Sequence, residues 1–337
     1  MSRRIQWASL LIACIVAPGV TAKQTTAKQT VDLQYRSVRD WKIDLPTPSF
    51  RALKSELVFP NLLSFKSTLR GTALAIDTNG DGKLNAVVTG KKGHVVLRNR
   101  SKKFRYALRL INRGGWKFTT SGYARGKIDG VPILVIDQNN NGSYSDYGQD
   151  AMVVGRSKSA AFLSKVIAVK GKLYQIDVKK NGSSLSFSPF KKKSGKLNLR
   201  KGFQSAGKLS SVILQSLDKQ YSFDLARATT PVPAGKYRIV TGKIELGSGI
   251  VRVGKGKSKP IVVISGKTTT VKWGGPLKVQ FGYLRRGGKV GFDPRQVWYY
   301  GRAKEEYFGW TPFGKSPEFL VSDAGGANLA KAVFGGC

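Results

Sequence analysis

The sequence predicts an all-β protein built from two or three β-sandwich or barrel-like modules. Three observations carry that expectation. Apolar runs are short, rich in Val, Ile, Leu and Tyr, and bounded by Gly, Asn and Asp, as at 72–76, 86–89, 94–98, 106–111, 133–136 and 151–154. Turn residues recur at regular short intervals between them. Apolar residues at helical spacing are hard to find; in 157–166 a short helix with Ser157 as N-cap competes with a strand approach.

In chain order, residues 1–22 read as an export signal. Arg3 and Arg4 precede an apolar stretch, 5–16, and Val20, Thr21 and Ala22 form a small-residue cleavage site. Two variants fit less well. Leu11 to Cys14 has the form of a lipoprotein cleavage box, but Cys14 lies early and more apolar residues follow it. Ser2, Arg3 and Arg4 could start a twin-arginine signal, but Gln6 stands where an apolar side chain belongs. The mature chain is therefore expected to begin near Lys23 and to be periplasmic, on the cell surface or extracellular. Its lone thiol would be Cys337, which excludes an intramolecular disulfide. About 315 residues suffice for two or three cores without covalent staples. No later run is apolar over the ~18 residues of a membrane span, so no transmembrane helix is expected in the mature chain.

Residues 23–62 are polar and Thr/Gln-rich, then carry Pro46, Pro48 and Pro60, which suits a linker and lead-in segment. Residues 63–201 are expected to form a β domain. Residues 202–280 form a second module, with strands at 211–215, 221–225, 237–241, 261–265 and 268–273. The remainder, 281–337, is Gly-rich and aromatic, with Trp298, Tyr299, Tyr300, Tyr307, Phe308 and Trp310, and either closes the preceding sandwich or starts a third module. In the second module Pro233, Gly235 and Tyr237 lead into a strand, and Gly266, Lys267 and Thr268 open a later one. These motifs resemble the P-x-G-x-Y lead-in and G-K-T turn of transthyretin-like and carboxypeptidase-regulatory-like sandwiches, over about 80 residues. The resemblance implies a structural or carbohydrate-adjacent module, not a catalyst.

Two oxygen-rich loops stand out in the first domain. Leu74 to Asp77 and Leu134 to Asp137 lie sixty positions apart, and each leads an apolar run into the same kind of turn. In the first, Asp77, Asn79 and Asp81 offer side-chain oxygens, Lys83 its carbonyl, and Gly82 the sharp turn that a hard cation such as Ca²⁺ needs. In the second, Asp137, Asn139 and Asn141 do the same, with the Ser143 carbonyl, and with Asp146 and Asp150 close by as further carboxylates. Both resemble the first half of EF-hand and dockerin calcium loops. The families' bidentate Glu at position twelve is replaced by Val88 in one loop and Gly148 in the other. The second loop is thus the more complete site on paper. The competing explanation is that Asp-Gly and Asn-Gly are common hairpin turns. Six of the 19 acidic residues, Asp77, Asp81, Asp129, Asp137, Asp146 and Asp150, nevertheless gather near these loops in a strongly basic chain. A third echo, Asp177 followed by Asn181 and Gly182, lacks the ligand spacing and reads as a plain hairpin turn.

The formal net charge of +39 draws the chain toward polyanions, here acidic polysaccharide or an anionic envelope surface. Nucleic acid is less favoured. Basic residues are dispersed, with denser points at 91–92, 98–105, 191–193 and 255–259, and no RRM, OB or helix-turn-helix signature accompanies them. Catalysis has little to stand on. His94 is the only histidine, in a strand-like run, and Cys337 sits at a chain end. Glu305 and Glu306 are adjacent, so on a strand they point to opposite faces and cannot flank one bond. The expected function is a non-catalytic, exported, calcium-binding β protein that holds acidic envelope or matrix polymers. The alternatives are a hydrolase or lyase of acidic polysaccharide using Asp146, Asp150 or Glu306, and sequence-independent extracellular DNA binding.

Overall fold

Two-residue alternation decides the architecture. In the strand Leu63–Arg70, Leu63, Phe65 and Ser67 are buried while Lys66 and Thr68 face water, the pattern of a half-buried strand. The computed structural model describes residues 27–60, 63–101, 103–311 and 318–333. The expected export signal, Cys14 and Cys337 lie outside these residues. Every regular element among them is a strand, almost all paired antiparallel, and no helix is long and apolar enough to cross a membrane. The fold is all-β, as the short bounded runs predict.

Four sheets surround the first core, which centres on Phe65, Leu97, Tyr106, Leu108, Ile133 and Leu185. The second core, around Leu197, Val212, Tyr237, Val253 and Trp273, is covered by a long sheet. Its path runs Ser222–Asp224, Lys208–Ser216, Gly235–Leu246, Gly249–Gly254, Glu306–Thr311, Lys289–Tyr300, Lys278–Arg286. The cores share one sheet: Ile167 and Val169 face the first while Val166 and Ala168 face the second. The aromatic segment therefore extends the preceding sheet, since Tyr307 pairs with Val253 and Tyr299 with Tyr307. Tyr237, in the P-x-G-x-Y motif, is buried, and its hydroxyl donates to Pro233 O at 2.8 Å, closing the turn on itself.

One open alternative is decided, and one expectation differs from what is found. The stretch 157–166 contains no helix; Ala161–Phe162 is a strand and Ser157 Oγ accepts from Ser159 N in a local turn. Successive residues feed different clusters, with Ala160, Phe162, Leu163 and Val166 each in a separate one, which no single helical stripe can do. Residues 27–60, read as linker and lead-in, instead supply strands Gln29–Asp32, Gln34–Ser37, Arg51–Ala52 and Glu56–Phe59. Leu33, between the first two strands, and Leu57 and Phe59, at the buried positions of Glu56–Phe59, sit in the first core.

Candidate metal centre

Both oxygen-rich loops make the same turn. Positions four and six take left-handed backbone angles, at Gly80 (φ 76°) and Gly82 (φ 81°) in the first and Asn140 (φ 60°) and Gly142 (φ 81°) in the second. In each, the position-one aspartate is fully buried and accepts from main-chain N–H groups. Asp77 takes those of Asn79, Gly80 and Gly82 at 2.8–2.9 Å. Asp137 takes those of Asn141 at 3.2 Å and Gly142 at 2.5 Å. The position-three and position-five side chains repeat the pattern, Asn79 and Asn139 accepting from the residue two ahead, Asp81 and Asn141 likewise. This Asx-turn set explains why Asp and Asn alternate with turn residues in both loops.

The surroundings differ. In the first loop Asn79, Gly80, Asp81 and Gly82 are exposed. Asp81 accepts from Lys83 N at 2.8 Å and from Asn79 Nδ2 at 3.0 Å, contacts that hold its carboxyl below the usual range. Asn85 is used up holding Thr78 N and Oγ1. Val88, at position twelve, is buried in the sheet opposite Leu74. The Lys66 ammonium lies 3.8 Å from where a Cβ on Gly82 would stand, so a cation already covers the turn.

The second loop is built into the protein. Asn140 is buried and its Oδ1 accepts from Thr120 N at 2.5 Å, while Arg51 Nη1 donates to Asn140 O at 2.9 Å. Gln138 Nε2 donates to Gln149 O at 2.7 Å, and Gln138 Oε1 accepts from Thr47 N at 3.1 Å. Tyr106, wholly buried, donates its hydroxyl to Asp137 Oδ2 at 2.7 Å. Asp146 Oδ2 accepts from both Asn139 Nδ2 (2.8 Å) and Asn141 Nδ2 (2.6 Å), so the three side chains converge. Ser143 Oγ is 3.4 Å from Asp146 Oδ1. Asp150 Oδ2 accepts from Asp146 N at 3.0 Å, but Asp150 Oδ1 is buried with no hydrogen-bond donor. Burial, then the nearby charge of Asp137, pushes the Asp150 carboxyl up to about 9; burial pushes Asp137 up to about 6 against its hydrogen bonds, that of Tyr106 foremost.

Two carboxyls buried side by side cannot both ionise cheaply, so Asp150 keeps its proton at neutral pH unless a positive partner answers its charge. No Lys or Arg does so, since the described ion pairs all lie elsewhere. Among the described residues no three carboxylate, imidazole or thiolate groups gather around one point. The oxygens available at 137–150 are instead a mixed set of carboxylate, amide and carbonyl, the donor chemistry of a hard cation such as Ca²⁺.

Sequence reasoning named Asp137, Asn139, Asn141, Ser143, Asp146 and Asp150; Asn139, Asn141 and Ser143 meet Asp146, and Asp150 meets the Asp146 main chain, while the three carboxylates do not close around one point. It missed Tyr106, Gln138 and Asn140; only Asn140 carried a signal, as the counterpart of Gly80. The other polar groups serve structure. Asp129 is in a turn, accepting from the Tyr174 hydroxyl at 2.6 Å. Glu305 is buried and bonded to Gly274 N and Ala303 N, while Glu306 is half-buried on the strand that follows. His94 is half-buried, its pKa depressed by burial and by Arg39 and Arg109, with no carboxylate to orient it as a base. Of the aromatic cluster, Tyr300 and Tyr307 are buried, whereas Phe308 and Trp310 are exposed.

Comparison with known families, characterised proteins and solved structures is uninformative about this site: no family model, protein or structure matches the chain.

Proposed function

We propose that the chain is a non-catalytic calcium-binding β protein, exported to the periplasm, the cell surface or beyond, whose cationic surface holds acidic envelope or matrix polymers. The observation that carries the calcium half is the buried, undonated Asp150 Oδ1 beneath an Asx-turn loop. Asp137, Asn139, Asn141, the Ser143 carbonyl, Asp146 and Asp150 would hold the ion. Bound there, Ca²⁺ supplies charge neutralisation and nothing reactive. Asp137 would tie it to the core through Tyr106, and Asn140 and Gln138 would tie the loop to the neighbouring strand and to the 47–51 segment. The polymer half is supported by the net charge of +39.

An acid–base pair at Asp146 and Asp150 finds no support, because Asp150 is wholly buried and one of its oxygens holds the Asp146 main chain.

Thermal unfolding of the full chain with chelator and then with excess Ca²⁺ tests the calcium half. An ion present at a hundredfold its Kd stabilises by about 2.7 kcal/mol, a shift of several degrees. No shift at any Ca²⁺ concentration would remove the proposal.

A further inference from the structure

A cavity of about 610 Å³ opens beside the second loop, bordered by Gly142, Tyr144 and the turn 179–183. That volume lies in the range of small-ligand sites. Two glycines create its shape. A Cβ on Gly182 (φ 68°) would stand 2.8 Å from the Tyr144 ring, and one on Gly142 would stand 2.5 Å from Phe59. The turn at Gly182 can therefore close on Tyr144, and that at Gly142 on Phe59, only with bare backbone. The hairpin turn with no ligand spacing of its own thus becomes a wall of the cavity.

Its lining is one-signed. Lys103, Arg105, Lys179 and Lys180 all border it, none is in an ion pair, and no carboxylate lines it among the described residues. Two tyrosines edge it with their hydroxyls turned inward. Tyr144 is 4 % exposed and its hydroxyl is sealed from solvent. Tyr35 OH is likewise inside, accepting from Ala107 N at 2.7 Å. Asn181 and Ser183 add polar side chains from the turn, and the rest of the wall is apolar, with half-buried Phe104 held at 5.3–6.2 Å ring to ring by Phe59, Phe65 and Tyr106. Cations for an anionic group, the polar Asn181 and Ser183 for hydroxyls and a rigid aromatic edge for a ring's apolar face together describe a carboxylated sugar.

We infer that this cavity binds one uronic acid unit of an acidic polysaccharide, its carboxylate toward Lys179 and Lys180. The inference takes its ligand class from the acidic-polymer reading above, and its location from the lining alone. A nucleic acid strand would instead want a continuous basic track along its phosphates, which a single walled cavity does not offer.

The test is equilibrium binding of the full chain to a tetrasaccharide of alternating uronic acid and neutral sugar, with calcium held constant. An uncharged tetrasaccharide and an oligonucleotide of equal charge are the comparators. Lys179→Ala with Lys180→Ala is set against Lys255→Ala with Lys259→Ala, which removes the same charge from another exposed site. The expected result is a loss of about tenfold or more in the first pair and under about threefold in the second, with little binding of the uncharged sugar. Equal losses in both pairs would overturn the cavity and leave only a general field. Equal affinity for the oligonucleotide, with the same dependence on Lys179 and Lys180, would overturn the saccharide. If the wild-type chain binds none of them, the acidic-polymer reading falls with the cavity, while the thermal shift with Ca²⁺ judges the calcium half separately.

Discussion

At 77–82 and 137–142 the chain makes one turn twice, with matching left-handed positions and matching Asx bonds, yet the two turns sit in opposite environments. The first stands in solvent with each of its carboxylate groups hydrogen-bonded and Lys66 nearby. The second is sunk among Tyr106, Thr120, Arg51 and Gln149, with a second layer of carboxylates and one oxygen left over. A loop motif by itself is thus a turn. Residues brought from far along the chain decide whether it is also a place for an ion.

The contrast can be broken at position one. With calcium present, Asp137→Ala strands the Tyr106 hydroxyl and two N–H groups in a buried setting and removes a ligand, so urea denaturation should show a loss of about 4 kcal/mol or more. Asp77→Ala strands N–H groups that water can reach, and should cost about 1–2 kcal/mol. Equal losses would erase the distinction between the loops.

Position six sharpens it. Gly82→Ala and Gly142→Ala meet the same φ of 81°, a strain of about 1 kcal/mol in each. Only at 142 does the new Cβ also meet Phe59 at 2.5 Å and Pro60 at 2.8 Å. Overpacking there should raise the loss to about 2–4 kcal/mol. Denaturation midpoints of the two variants compare them directly.

The smallest expected effect is in pH. Asp150 and Asp137 have raised carboxyl pKa values in the folded, ion-free protein, about 9 and about 6. Folding therefore takes up protons, and the stability this pair contributes is full below the ordinary carboxylate range and fades as pH climbs through those two values. On the calcium reading proposed above the ion takes the place of these protons, so its stabilising shift should grow with pH, by on the order of 2–4 °C between about pH 5 and about pH 8. Thermal scans with and without Ca²⁺ at each pH isolate the difference from changes in net charge. A shift constant with pH would mean that the ion does not displace these protons.

The sequence made the fold class legible because period-two runs such as 63–70 are local, and so are the turns that bound them. It made the loop residues legible for the same reason: positions one, three and five of an Asx turn are neighbours in the chain. Boundaries were harder. Residues 29–37 pair with partners near 122–128 and 184–187, and nothing in a Thr/Gln-rich segment announces partners that distant. Likewise 157–166 looks locally ambiguous because its side chains are shared among four clusters, a fact of tertiary packing alone. Tyr106, which supports Asp137 across 31 residues, lay in an ordinary strand pattern and gave no sign of its role.

Calorimetric titration of the full chain with Ca²⁺ tests the central claim most directly. The account predicts one strong site, retained in Asp77→Ala and abolished in both Asp137→Ala and Asp150→Ala, the latter two checked for native circular dichroism. Binding that survives both second-loop substitutions, or that disappears with Asp77→Ala, would contradict it.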